Sequence, residues 1–252
     1  MHNILSNNLK QAIMPVRLKI PYESGLFFIT FTCARWLPLI KLTNSYDLFY
    51  KWFDYLKHQG HFINAYVIMP NHFHAIIGFR QSNKSINKII GDGKRFMSYE
   101  LIKRLTDTNQ MEILIQLNDM VNRTDAKRMK KHEVFEPSFD WKFLYTNEFI
   151  TQKLNYIHQN PCKSKYQLAK LDVDYEHSSA RFYAGICCLE YAVTLVSEMK
   201  HIDLTIPQSP LRETSAGTGE IDVYTAEFSS GGIPGGNLNL CDVPAEVCPV
   251  ST

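Results

Sequence analysis

The chain lacks a Gly-x-x-x-x-Gly-Lys-Ser/Thr loop, so it carries no P-loop machinery for ATP hydrolysis. None of its six cysteines forms a Cys-x-x-Cys pair, which argues against a zinc ribbon. No apolar run approaches membrane-spanning length. The first twenty residues hold Lys10, Arg17 and Lys19 and no continuous apolar core, so they do not read as a secretory signal. A reducing cytoplasm is the expected compartment, with the cysteines as small buried hydrophobes and no membrane partner.

What is present is ordinary globular material with an uneven charge. The chain has 252 residues, 45% hydrophobic and 21% charged, enough for a real core. Its net charge of +2 hides an asymmetry. Residues 208–252 hold one basic residue, Arg212, against six acidic ones: Glu213, Glu220, Asp222, Glu227, Asp242 and Glu246. Residues 1–207 therefore carry 26 basic and 19 acidic residues, a net +7 that suggests a polyanionic partner. The tail is rich in glycine and proline and weak in periodicity, so residues 1–207 read as the folded domain and 208–252 as a disordered acidic tail.

Periodicity supplies the elements. Leu26 to Cys33 is aromatic and β-branched and predicts a strand. Leu48, Phe49, Trp52, Phe53 and Leu56 repeat at helical spacing within Ser45 to Gln59. Phe62 to Met69 and His72 to Phe79 predict two antiparallel strands joined at Pro70-Asn71. Ser85 to Arg104 predicts a helix with Ile86, Ile89, Ile90, Phe96, Met97 and Leu101 apolar, weakened by Gly91 and Gly93. Thr108 to Met129 reads as a further helix or a mobile insertion. Phe139 to Tyr145 predicts a fourth strand, and Asn147 to Gln159 a helix that Pro161 ends. The order β-α-β-β-α-β-α predicts an α+β fold: a ferredoxin-like βαββαβ sheet with helices on one face and an added C-terminal helix.

The chemistry concentrates in Met69-Pro70-Asn71-His72-Phe73-His74. Strand residues i and i+2 share a face, so His72 and His74 present two imidazoles together while Phe73 packs opposite. Two imidazoles on one strand make a start for a divalent metal site; a plainer reading is two partly exposed edge histidines. Downstream lies Asn155-Tyr156-Ile157-His158-Gln159-Asn160-Pro161 at the end of a helical pattern. Tyr156 and Asn160, at i and i+4, share a face of that helix. By the same geometry His158 points away from Tyr156 and is expected to be exposed.

Met-Pro-Asn-His-x-His, then Tyr-Ile-x-x-Asn-Pro, then Ser178-Ser179-Ala180-Arg181-Phe182-Tyr183 occur in an order and spacing that resemble the REP-associated tyrosine transposases. These are a branch of the single-tyrosine HUH (His-hydrophobic-His) transposases, the insertion-sequence-200-like group. The resemblance covers roughly residues 18–185. It implies that Tyr156 is a nucleophile, and that His72, His74 and Asn160 hold Mg²⁺ or Mn²⁺. Asn160 otherwise caps the last helical carbonyls. The implied reaction is metal-dependent nicking and strand transfer of single-stranded or hairpin DNA through a 5′-phosphotyrosine, by a monomer or homodimer. The alternatives are a non-cleaving DNA- or RNA-binding relative and a metal-dependent phosphoesterase that uses water.

Two basic segments suit a nucleic-acid partner. Lys84, Lys88, Lys94, Arg95, Lys103 and Arg104 lie along one predicted helix, and Arg123, Lys127, Arg128, Lys130, Lys131 and His132 form a second cluster. Lys88, Lys94, Arg95, Lys103, Arg104 and Arg181 are the candidate DNA contacts; solvated helix faces are the plainer reading. Tyr99 and Trp141 are candidate base-stacking rings, or core. His177 and the Ser178-Ser179 pair are expected to pack.

Overall fold

In a computed structural model the described residues are 19–163, 167–186 and 191–199. The expected tail, 208–252, lies outside them, as do Cys187, Cys188, Cys241 and Cys248.

The described elements are β1 (Gly25–Thr32), the short α1 (Leu39–Leu42), α2 (Tyr46–His58), β2 (Phe62–Ile68), β3 (His72–Phe79), α3 (Ile86–Asp107), α4 (Met111–Asp119), α5 (Arg123–Lys127), β4 (Asp140–Phe143), α6 (Asn147–Lys163) and the short α7 (Ala180–Tyr183). One antiparallel sheet runs in the order β2-β3-β1-β4. This is the expected ferredoxin-like topology: β2 and β3 form a hairpin at one side of the sheet, and helical crossovers lead from β1 to β2 and from β3 to β4, past the central β1–β3 pair.

Alternation of side chains divides the sheet into two faces. Phe27, Ile29 and Phe31 of β1 and Phe73, Ala75, Ile77 and Phe79 of β3 join Leu48, Phe49, Trp52, Phe53 and Leu56 of α2 and Ile89, Ile90, Met97 and Leu101 of α3 in the main core. The other face presents Leu26, Phe28, Ala65, Val67, Met69 and Ile76 to Ile157 of α6, with Phe149, Ile150 and Leu154 packed at the side. Thus α2 and α3 cover one face, and the added helix covers the other.

Several details differ from the sequence reading. The register between β2 and β3 shifts between Ile63 and Ala65. That bulge changes the phase of β2, so Ile63 and Tyr66 face the main core while Ala65 and Val67 face α6. Helix α6 continues through Pro161 to Lys163 rather than ending before it. Proline removes only one amide donor there, in a last turn where the helix is finishing anyway. Phe96 sits on the outer side of α3, 43% exposed, and Thr108 to Met129 forms two short helices. Gly93 lies against Trp52: a Cβ there would overlap the indole, whereas Gly91 faces open space.

The segment after α6 closes the β2 edge. Ile68 N–H donates to His177 O, Val67 bridges Ser178, and Ser179 N–H donates to Tyr66 O. An edge strand so paired offers fewer free groups to other chains. His177 packs as expected, its ring stacked on Tyr46 at 3.6 Å and bonded to Tyr50 Oη.

Candidate active site

His72 opens β3 and His74 follows on the same face, opposite Thr32 and Thr30 of β1. Their rings lie 4.9 Å apart, centre to centre, and nearly perpendicular. Tyr156 of α6 lies with its ring centre 5.1 Å from that of His74 and remains 48% exposed. Asn160, one turn on, places its Oδ1 3.2 Å from His72 Nε2. The fold therefore gathers His72, His74, Tyr156 and Asn160 into one cluster on the α6 face.

The histidines are oriented from behind. Asn71 Nδ2 donates to the carbonyl of Trp36, which leaves Asn71 Oδ1 to accept from His72 Nδ1 at 2.7 Å. With that proton on Nδ1, His72 Nε2 is a lone pair facing a second acceptor, Asn160 Oδ1. His74 Nδ1 is held by Thr30 Oγ1 at 2.6 Å. Burial pushes both imidazoles below their ordinary range, His74 to about 3, so both are neutral at pH 7. Neutral imidazoles and a converging amide oxygen are a donor set that fits a divalent cation. Among the described residues no third His, Cys, Asp or Glu joins them, so such an ion would keep positions for water or phosphate.

Three aromatic or cationic neighbours complete the setting. Phe28 stacks under His74 at 5.5 Å and meets Tyr156 edge-on at 5.8 Å. Lys153 Nζ lies over the Phe28 ring at 4.9 Å and 5.6 Å from the Tyr156 ring centre. Trp36, 62% exposed, meets His72 edge-on at 5.4 Å. Sequence reasoning missed Thr30, Phe28, Lys153 and Trp36. Thr30 is recoverable from strand register, and Lys153 from its helical spacing to Tyr156; Trp36 had no signal.

His158 is buried, not exposed. Its Nε2 meets Ser179 Oγ at 3.0 Å, and the same hydroxyl accepts from Tyr66 N–H. The Ser178-Ser179 segment thereby ties α6 to the sheet edge two residues from both Tyr156 and Asn160. Burial lowers the His158 pKa to about 4.

The candidate DNA contacts lie apart from this cluster. Lys88 and Arg95 pair with Asp92, and Arg104 pairs with Asp47 while also bonding Asn44 O. Lys94 Nζ donates to Glu136 O and Ser138 O, and Arg181 Nε donates to Val173 O. Lys103 is exposed. Tyr99 is 70% exposed, whereas Trp141 packs against Tyr22 and Phe27. Cys33 is buried and Cys162 half-buried. No helix among the described residues is long and apolar enough to cross a membrane.

Fold and site together define a ferredoxin-like sheet with a two-histidine, one-tyrosine cluster beneath its added helix. The chain is similar to a solved REP-associated tyrosine transposase bound to a REP hairpin, at 18% identity and a TM-score of 0.42, over 71% of this chain and 90% of that one. It is also similar to a candidate transposase from Deinococcus radiodurans R1, at 12% identity and a TM-score of 0.34, over 57% of this chain and 96% of that one. No family model and no curated protein matches.

Proposed function

We propose that this chain is a single-tyrosine HUH strand transferase acting on single-stranded or hairpin DNA. The observation that supports it is the convergence of Tyr156, on α6, with two neutral strand histidines and an amide oxygen. The Tyr156 oxygen attacks a backbone phosphorus. A Tyr–O–P bond forms, the P–O3′ bond breaks, and the phenol proton passes to the released 3′-hydroxyl or to solvent. The DNA keeps a 5′-phosphotyrosine link, which a 3′-hydroxyl later attacks to reseal a strand. Bond energy is conserved, so no nucleotide triphosphate is consumed.

His72 Nε2, His74 and Asn160 Oδ1 would hold Mg²⁺ or Mn²⁺. When bound, such an ion withdraws charge from the phosphate oxygens. Thr30 and Asn71 keep the imidazoles oriented, and Phe28 keeps water from one side of His74. Lys153 adds a cation beside Tyr156 with no carboxylate partner among the described residues.

The test is a denaturing gel after incubation with a single-stranded oligonucleotide and Mn²⁺. The parent chain gives a covalent adduct, Tyr156→Phe gives none, and Tyr156→Phe still binds DNA. An undiminished adduct in Tyr156→Phe overturns the assignment. Cleavage without adduct identifies the water-using phosphoesterase; binding without cleavage identifies the non-cleaving relative.

A further inference from the structure

On the face of the sheet away from Tyr156, a groove of about 790 Å³ runs between α3 and the segment 128–139. Lys94 builds it: its bonds to the carbonyls of Glu136 and Ser138 pin that segment to α3. The floor is apolar, with Ile102, Val134, Phe135 and Phe139. The rim is cationic. Arg128 and Lys131 are exposed, and neither has an ion-pair partner among the described residues. Tyr99 also lines the groove, 70% exposed and without a ring partner among the described residues.

The groove is connected to the histidines. Glu136, on its wall, accepts through Oε1 from the backbone N–H of Arg35 at 2.9 Å. The next residue is Trp36, whose ring lies beside His72. Arg35 and Trp36 both hold left-handed backbone angles, φ 49° and 60°. Two adjacent non-glycine residues in that region carry a conformational cost, and such cost is concentrated where a side chain must be displayed for use. What is displayed is an indole, 62% exposed, at the mouth of the histidine cluster.

We propose that the groove and Trp36 form one track for an unpaired nucleic-acid strand. Bases lie on Tyr99 and the apolar floor, phosphates pass along Arg128 and Lys131, and Trp36 stacks the base next to the phosphate presented to Tyr156. Exposed rings interleaved with free cations match the two faces of a single strand; a duplex offers no base faces, and an acidic protein needs no rings. The track deepens the proposed function by placing its substrate.

The experiment uses the full chain carrying Tyr156→Phe, in EDTA, so that binding is read without chemistry. Probes are a labelled mixed-sequence single strand, an abasic strand of equal length and the corresponding duplex, with polyglutamate as competitor. Trp36→Leu and Tyr99→Ala each weaken the mixed strand about tenfold and leave the abasic strand unchanged, whereas Trp36→Phe keeps most of the affinity. Arg128→Glu with Lys131→Glu weakens both strands and reduces the log–log salt slope by about 1.4, roughly 0.7 per lost phosphate contact. All four side chains are exposed, so melting temperature stays at the parent value. Ring variants that bind the mixed strand like the parent overturn the track. So does equal affinity for the duplex, which would mark a phosphate-only surface, or polyglutamate displacing DNA at equal charge, which would mark an acidic-protein site. Adduct formation is scored separately with Tyr156 intact. No adduct with ring-dependent binding overturns the proposed reaction alone; adduct with ring-independent binding overturns the track alone.

Discussion

The two faces of the sheet are built from the same alternating strands and put to different use. On the α2/α3 face, β3 contributes Phe73, which lies 4.9 Å from Phe31 and 5.2 Å from Phe49, ring centre to ring centre. On the α6 face, its neighbours His72 and His74 meet Asn71, Thr30, Asn160 and Tyr156. One residue of strand separates a position whose value is packing from one whose value is a lone pair. The main core is expected to tolerate little change in volume, and position 72 on the α6 face a change in chemistry without a matching loss of fold.

The largest expected effect tests that division directly. Phe73→Ala removes a fully buried ring from the main core and is expected to cost about 3–5 kcal/mol. His72→Ala, beside it, removes a partly exposed ring and is expected to cost under about 1 kcal/mol while abolishing adduct formation. Chemical denaturation of both variants decides the matter. Equal losses of stability would mean that the faces are not separate.

A smaller effect is expected where the α6 face is tied to the sheet. Ser179 is buried, accepts from Tyr66 N–H and bonds His158 Nε2. Ser179→Ala removes the hydroxyl that meets buried His158 Nε2, at a cost of about 1–3 kcal/mol. The loss falls on α6, so amide exchange should accelerate in Asn147–Lys163 more than in β1 or β3. Uniform acceleration would show that Ser179 supports the whole domain and not the tyrosine helix in particular.

How much of this was legible follows from which residues depend on distant ones. The histidine pair was visible because a strand's period of two is local, and the repeat of Leu48, Phe49, Trp52, Phe53 and Leu56 because a helix's period is local too. The bulge at Ile63/Ala65 has no such mark, because it is settled by pairing with β3. His158 was misplaced because its partner, Ser179, lies 21 residues away. Gly91 and Gly93 look alike in sequence, yet only Gly93 meets Trp52. Basic residues along α3 looked free; Asp47, Asp92 and two carbonyls engage Arg104, Lys88, Arg95 and Lys94. Trp36 gave no signal, since its display depends on a left-handed turn.

The last expected change is small in fold and sharp in function, and it lies at Thr30. It lies opposite His74 in the β1–β3 register, and its Oγ1 is 2.6 Å from His74 Nδ1. Valine keeps the β-branched shape that a strand favours and removes only the hydroxyl. One hydrogen bond is lost, so Thr30→Val is expected to lower stability by about 1 kcal/mol. The imidazole, however, loses the partner that fixes its tautomer and its angle. Groups that orient a metal-binding histidine commonly govern affinity by about 10- to 100-fold. Calorimetric titration with Mn²⁺ is therefore expected to show weaker binding by that factor, with adduct formation falling alongside and recovering as Mn²⁺ is raised. EDTA should abolish adduct formation in both chains. Unchanged Mn²⁺ affinity in Thr30→Val would mean that His74 serves the α6 face as a packed ring stacked on Phe28, and that the boundary between packing and chemistry runs between His72 and His74.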